Sequence, residues 1–530
     1  MIFRSPYPDI SIPDVSLTEF VFQNAGRWPD KRALVDSTGG RSYTYAELIE
    51  AIRRAASGLS ARGFKKGDVL AIFSPNVPEY AVAFHSVATL GGTVTTLNPL
   101  CIVEDVEKQL NDSQAAYLVT VPELLEKARE AAAQSRVREI FVIGEPENLT
   151  KNEAVGATSF ASLLADDADA VPAVSINSGE DVVALPYSSG TTGMAKGVML
   201  THRNLVANLL QIEGTGHAGG DDTLVCVLPL FHIYGMQVIM NFGLYMGATI
   251  ITVPRFDLEH VLGLMQDHRV TMAHVVPPLV LALAKNPVVD EYDLSSVKTL
   301  FSAAAPLGAQ LANECGARLK CHVKQGYGMT EMSPATHMIP PEPEQNKPGS
   351  VGVCVPGMEC KLVDIETGAE LGHDAEGEIC VRGPQVMKGY LNRPEETART
   401  IDSEGWLHTG DIGYADSDGF FFIVDRAKEL IKYKGFQVAP AELESLLLTH
   451  PAIADAAVIP SPDDDAGEIP KAFLVRCAEI SESEIMEFVA GHVSPHKKIR
   501  KVEFVEGIPK SPSGKILRRI LVQRERGGQA

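Results

Sequence analysis

Amphipathic helical segments and short apolar runs alternate along the first 350 or so residues, and this alternation limits the fold more than any other feature of the chain. Thr44 opens a helical pattern, TYAELIEAIRRAASGLSARG, which gives way to the strand-like VLAIF and then to a second amphipathic segment from Val77. EDVEKQL precedes AAYLVTV, ELLEKAREAAAQ precedes EIFVIG, and VLGLMQDHRV precedes TMAHVV. Such alternation predicts layered α/β subdomains built on parallel sheets, and no fixed-period repeat competes with that reading.

From about residue 350 the texture changes to Gly-rich strand-and-turn segments, ECKLVDIETG, GEICVRG and GYADSDGFFFIVD, which predict a small β-rich part over about 350–425. The last hundred residues change again. AELESLLLTH reads as a helix, AAVIP and AFLVRC as strands, and SESEIMEFVAGHV as a helix with a Ser481 and Glu484 capping box. The fold class expected is therefore α/β: a large N-terminal domain over 1–425, followed by a mobile α+β lid over 426–530. The boundary is placed in the charged segment from Arg426 to Lys428. With 530 residues the chain exceeds what one core usually supports, in keeping with this division.

Composition excludes several classes. A net charge of -21 argues against a duplex nucleic-acid binder, which needs basic residues against phosphates, so any phosphate site must be assembled locally. Eight cysteines occur without a CxxC pair, and the opening MIFRSPYPDISIP has no apolar run of the signal-peptide kind, so thiols in a reducing cytoplasm are expected. Thr223 to Pro254 contains no Asp, Glu, Lys or Arg and is long enough to span a bilayer. Pro229, His232, Gln237 and Asn241 interrupt it and its end, ATIITV, is β-branched, which favours a buried helix leading into a buried strand.

The sharpest chemical signal is YSSGTTGMAKGVMLTH, where a buried-strand pattern, VVALPY, runs into hydroxyls and glycines before Lys196. Glycines let backbone N–H groups turn toward an anion; Ser188, Ser189, Thr191 and Thr192 add donors, and Lys196 adds charge. The order fits neither G-x-x-x-x-G-K-[ST] nor G-x-G-x-x-G. A Ser/Thr/Gly turn on its own is often only a loop. Five further segments raise its significance: LPLFHIYG (228–235), QGYGMTE (325–331), GWLHTGDIG (405–413), DRAKELIKYKGFQVAPAELE (425–444) and PKSPSGKILRR (509–519).

Together, in this order and over essentially the whole chain, these segments resemble the adenylate-forming superfamily, and within it the 4-coumarate:coenzyme A ligases. The phosphate loop departs from the family in carrying Ala195 where Pro is usual, which removes no donor. The resemblance implies an acid-thiol ligase that uses ATP, Mg²⁺ and coenzyme A, first forming an acyl-adenylate with release of pyrophosphate and then the thioester. It implies that Ser188, Ser189, Gly190, Thr191, Thr192, Gly193 and Lys196 bind ATP, with Gly326, Gly328 and Thr330 at the α-phosphate side and Glu331 anchoring Mg²⁺. Lys515 would bridge carboxylate and phosphate as a mobile charge. Asp411 and Arg426 would hold the ribose, and Tyr327 would stack on adenine opposite the turn of Ala304, Ala305 and Pro306.

His232, by default a core histidine, would lie by the substrate carboxylate. Lys432 and Gln437 would serve adenylation, Lys434, Gly435 and Phe436 the coenzyme A tunnel, and Lys428 the hinge of a lid that presents Lys515 first and Gly435 next. Read without the resemblance, KELIKYKGFQ is one solvated edge strand, and Lys510, Arg518 and Arg519 are surface charge around Lys515. The acyl pocket implied is Tyr234, Ser302, Ala303, Ala304, Gly326, Pro334 and Ala335, small or apolar and suited to a flat aromatic acid. His232 stands where amino-acid-activating relatives carry Asp, so an ammonium group would lack its partner. A medium-chain fatty acid, a luciferase-like oxygenase, a carrier-loading acyl-AMP ligase and a catalytically dead nucleotide binder remain the rival readings; no nucleic-acid partner and no membrane span are expected.

Overall fold

The computed structural model describes residues 1–39, 42–144, 157–188, 195–216, 219–463, 465–512 and 514–527. Among them the strands form four sheets. In the eight-stranded sheet Val182–Ser188, Thr93–Leu97, Val69–Phe73, Tyr117–Thr120, Glu139–Val142 and Ala157–Ser159 run parallel, in that order. The nine-stranded sheet has a parallel centre, His322–Gly328, Thr299–Ser302, Met272–Val275, Thr223–Cys226, Thr249–Thr252 and Arg32–Asp36, with antiparallel strands at both edges. The helices expected between the runs are present. Tyr45–Ala61 starts in a capping box in which the Thr44 hydroxyl takes the Glu47 N–H and the Glu47 carboxylate takes the Thr44 N–H. This is the α/β architecture the alternation predicts.

The stretch from Thr223 to Pro254 folds as strand, helical turns and strand rather than as a bilayer span. Strand Thr223–Cys226 leads to a π-helix over Tyr234–Asn241, a short helix Phe242–Met246 and strand Thr249–Thr252. Two of its polar interruptions donate inside the protein: Gln237 to the Leu205 carbonyl at 2.8 Å, and Asn241 to Gln237 at 2.9 Å. Among the described residues no helix is long and apolar enough to cross a membrane.

The β-rich part is an antiparallel five-stranded sheet, Ile2–Arg4, Glu359–Val363, Gly377–Arg382, Leu407–Ala415 and Phe421–Arg426. One apolar core runs through both parallel sheets and into this one, joining Ile72, Phe84, Leu224, Phe301, Leu362 and Phe421. After Arg426 the chain turns through 427–430 and enters a separate sheet whose long strands Ile453–Asp463 and Gly467–Arg476 pair over their length. That sheet has its own core, Ile431, Val438, Leu443, Leu447, Val458, Leu474, Ile485 and Val489, covered by helices Pro440–Leu447 and Glu482–Ala490. The second helix carries the Ser481 and Glu484 capping box expected of it.

Two expectations are corrected here. KELIKYKGFQ is not one edge strand: Ile431–Tyr433 and Phe436–Val438 form a hairpin. Lys434 and Gly435 at its tip both have positive φ, 48° and 84°, the backbone of a tight two-residue turn, and the alternating lysines masked that signal. Nor are the basic residues near Lys515 all solvated. Lys510 pairs with Asp455 at 2.6 Å, and Arg518 is held by Glu429, by Glu444 at 2.6 Å and by the Val458 carbonyl at 3.2 Å, so both tie the last segment to the lid's own fold. Arg519 remains exposed.

Candidate active site

The strands that carry the expected residues end together. Ser188 is the last residue of Val182–Ser188, Ser302 of Thr299–Ser302 and Gly328 of His322–Gly328, and the Leu228 to Gly235 segment follows Thr223–Cys226. The carboxyl ends of parallel strands leave a crevice where backbone groups and loop side chains face a ligand. Gly328 is required there by space: a Cβ would lie 2.0 Å from the Pro334 carbonyl oxygen. Thr330 and Glu331 follow immediately in a single helical turn, Thr330–Met332.

Glu331 is buried and its carboxylate is fixed. Ser188 donates to Oε1 at 3.0 Å and the Tyr390 hydroxyl to the same oxygen at 2.9 Å. Among the described residues no hydrogen bond engages Oε2, so the group presents a hard oriented oxygen, the donor Mg²⁺ takes. Lys196 lies alongside, its ammonium 4.9 Å from the centre of the Tyr390 ring and ion-paired with Glu396. Tyr390 and Glu396 were missed in the sequence; the one available signal was an aromatic residue after Gly389 in the polar run KGYLNRPEE.

Asp411 forms a second fixed group. It is buried, accepts the Tyr327 hydroxyl at 2.5 Å and pairs with Arg426 at 3.2 Å, its direct cross-strand partner. Burial raises its carboxyl above the usual range, while Arg426, Tyr327 and Lys515 act to lower it. Tyr327 was expected to stack on adenine; its ring edge is now anchored by this hydroxyl bond, and burial, then Asp411, push its phenol well above 10. Glu378, also missed, shapes the turn before Asp411: its Oε1 accepts the Gly410 N–H at 2.9 Å and its Oε2 meets His408 Nδ1 at 2.8 Å. Ala304, with φ of 74°, and Ala305 and Pro306 form the turn after Thr299–Ser302.

Lys515 reaches this cluster from the lid. Its backbone is clipped by Ser511, with the Lys515 N–H on Ser511 Oγ at 3.1 Å and the Ser511 N–H on the Lys515 carbonyl at 2.8 Å. The adjacent Gly514 meets Val276 and Pro278 of the N-terminal part so closely that a Cβ would stand 3.0 Å from a Val276 methyl. Burial, then Arg426, lower the lysine's affinity for its proton, and Asp411, Glu331 and Glu429 oppose this. His232 feels Lys515 in turn: burial, then that ammonium, hold the imidazole down to about 3, so it is neutral at ordinary pH. Nδ1 accepts the Tyr234 N–H at 3.2 Å, which leaves the proton on Nε2.

The expected acyl-pocket residues are lined up by the nine-stranded sheet. The Tyr234 hydroxyl donates to the Phe301 carbonyl at 2.9 Å and lies 3.2 Å from His274 Nδ1, which therefore acts as donor. Ser302 is buried with no hydrogen-bond partner for its hydroxyl among the described residues. Gly326 packs on the Phe301 ring, Pro334 is buried, and Ala303 and Ala335 are partly exposed. The remaining expected residues stand apart. Lys432 and Gln437 are exposed cross-strand partners on the lid hairpin, Lys434, Gly435 and Phe436 are exposed at its tip, and Phe436 stacks on His496 at 4.8 Å. Lys428 is in the turn between the two sheets. Ser189, Gly190, Thr191, Thr192 and Gly193 lie outside the described residues.

Residues 21–391 match the family of AMP-binding enzymes, and residues 442–515 the AMP-binding enzyme C-terminal domain. A 4-coumarate--CoA ligase 2 of Oryza sativa subsp. japonica is 48% identical over 538 residues, which cover 98% of this chain and 94% of that one. The anthranilate CoA ligase AuaEII, solved with anthranoyl-AMP, is 26% identical with a TM-score of 0.89, over 98% of this chain and 99% of that one. MatB from Rhodopseudomonas palustris is 30% identical over 97% of this chain and 99% of that one; the TM-score is 0.87 for its ATP-bound structure and 0.77 for its apo structure.

Proposed function

Because this chain belongs to the AMP-binding enzyme family, we propose that it is an ATP-dependent acid:coenzyme A ligase acting on 4-coumarate-like aryl-propenoic acids. The observation that carries the proposal is the seating of Gly514, next to Lys515 on the lid, against Val276 and Pro278 of the N-terminal part, which brings the Lys515 charge under the influence of Asp411, Glu331 and the boundary residue Arg426. Adenylation brings two anions together: the acid's carboxylate oxygen attacks the α-phosphorus of ATP and pyrophosphate leaves. Lys515 supplies a positive charge in a partly dehydrated place, where it is worth more than in water. Asp411 takes the ribose hydroxyls, Tyr327 covers the base, and Thr330 donates to the α-phosphate. Glu331 would hold Mg²⁺, which offsets phosphate charge when bound.

In the second step the thiol of coenzyme A attacks the acyl carbon and AMP leaves. The hairpin tip that would line the thiol's path, Lys434 to Phe436, is exposed in this lid position, so the second step calls for a turn of the lid about the segment near Lys428. The higher structural similarity to the ATP-bound than to the apo form of one relative supports reading the present position as the adenylating one. The eight cysteines are all free, in keeping with a cytoplasmic enzyme.

Pyrophosphate release with a panel of acids tests the proposal. Release should be greatest with 4-coumarate and its ring-substituted relatives, much lower with octanoate and absent with amino acids, and thioester should form only with coenzyme A. Faster release with octanoate would make this a medium-chain ligase; no release with any acid would defeat the proposal.

A further inference from the structure

Away from the crevice, three metal-ligating side chains meet where two sheets join. His337 and Cys354 are direct cross-strand partners at the edge of the nine-stranded sheet, on Ala335–Met338 and Val353–Cys354. Cys360 comes from the five-stranded sheet, on Glu359–Val363. All three are buried, and their ligand atoms lie within 4.8 Å of one another. His337 Nε2 is 3.5 Å from Cys354 Sγ.

We propose that His337, Cys354 and Cys360 bind a thiophilic divalent cation, of which zinc is the physiological example, as a structural clamp between the two sheets. The hydrogen bonds around His337 fix its tautomer. The Thr336 hydroxyl gives its single proton to the Tyr327 carbonyl at 3.0 Å, so at 3.0 Å from His337 Nδ1 it can only accept. Nδ1 therefore carries a proton, and the lone pair of the neutral ring is on Nε2, facing sulfur. A second hydrogen bond that orients the ring in this way is what metal-ligating histidines have.

Distances and charge agree. Ligands at about 2.0 and 2.3 Å from a tetrahedral metal stand about 3.5 Å apart, as His337 and Cys354 do. Two thiolates and a neutral imidazole cancel a 2+ charge, so the site can be buried without an uncompensated ion. A fourth position is left for a small exogenous ligand. The burial of all three groups implies loading as the chain folds. The clamp lies beneath the nucleotide cradle, because His337 is also the cross-strand partner of Tyr327, with ring centres 5.8 Å apart. The proposal is independent of which acid the enzyme activates.

A thiol-to-imidazole hydrogen bond would have the same spacing, so the test reads the metal itself. Full-length protein is expressed with added zinc, purified without chelator and assayed for metal by mass spectrometry, and a second batch is expressed with cobalt and examined for thiolate-to-cobalt absorption. The wild type and a Cys477→Ser control should carry about one metal per chain and show the charge-transfer band. Cys354→Ser and Cys360→Ser should lose at least ten-fold in metal content and the band, and His337→Gln should shift or lose it, with pyrophosphate release reporting that each variant is folded. Metal-free wild type in both batches, a Cys354–Cys360 disulfide in place of metal, or unchanged metal content in folded Cys354→Ser and Cys360→Ser would overturn the proposal.

Discussion

Lys515, the cation of the proposed adenylation step, sits where charge is disfavoured. Burial and Arg426 lower the proton affinity of Lys515 from its usual value near 10.5, and adenylation needs the protonated form. The rate of pyrophosphate release should therefore fall on the alkaline side earlier than an ordinary lysine would allow. Lys515→Arg, which keeps its charge at any working pH, should be slower but free of that limb. His232 behaves in the opposite way: with its imidazole held down to about 3 it does not titrate near neutrality. His232→Asn should lower the rate without moving the acid limb, and an acid limb near 6.5 that disappears in this variant would contradict the account. The resemblance alone offers Asp411 as a ribose ligand; its pairing with Arg426 depends on the register of a hairpin, and its bond to Tyr327 joins separate sheets, so neither can be read from local pattern. Asp411→Asn should raise KM for ATP more than it lowers kcat.

At the scale of elements, local rules found what depends on local chemistry. The Thr44 helix start, the Ser481 capping box, the helices between apolar runs and the uncharged stretch from Thr223 are all in place because each is decided by neighbours a few residues away. The lid hairpin was missed because Lys428, Lys432 and Lys434 imitate strand alternation while the decisive pair, Lys434 and Gly435, needs only a positive φ. Gly435→Ala should strain that turn by about 1–2 kcal/mol and slow thioester formation, leaving pyrophosphate release nearly unchanged in a single-turnover assay. Arg518 is a second such case. Its solvated appearance in the sequence conceals a buried partnership with Glu444, whose own carboxyl burial raises to about 7. Arg518→Met would leave that carboxylate unpaired and should destabilise the lid by about 3–5 kcal/mol, seen as an early transition in calorimetry.

At the scale of the molecule, two folding units with separate cores meet across a charged crevice. The order of motifs pointed to the chemistry; which residues face one another depends on two sheets, the eight-stranded one with a strand ending at Ser188 and the nine-stranded one with strands ending at Ser302 and Gly328. Lys515 belongs to one unit and Asp411 and Glu331 to the other, so in the proposed mechanism the lid's position decides which half of the reaction is possible. The direct test separates the halves in Lys515→Ala. Pyrophosphate release from ATP and 4-coumarate should fall about 10²–10³-fold, while thioester formation from pre-made coumaroyl-adenylate and coenzyme A should stay within a few-fold of wild type. Equal losses in both half-reactions, or loss of the second alone, would contradict the account.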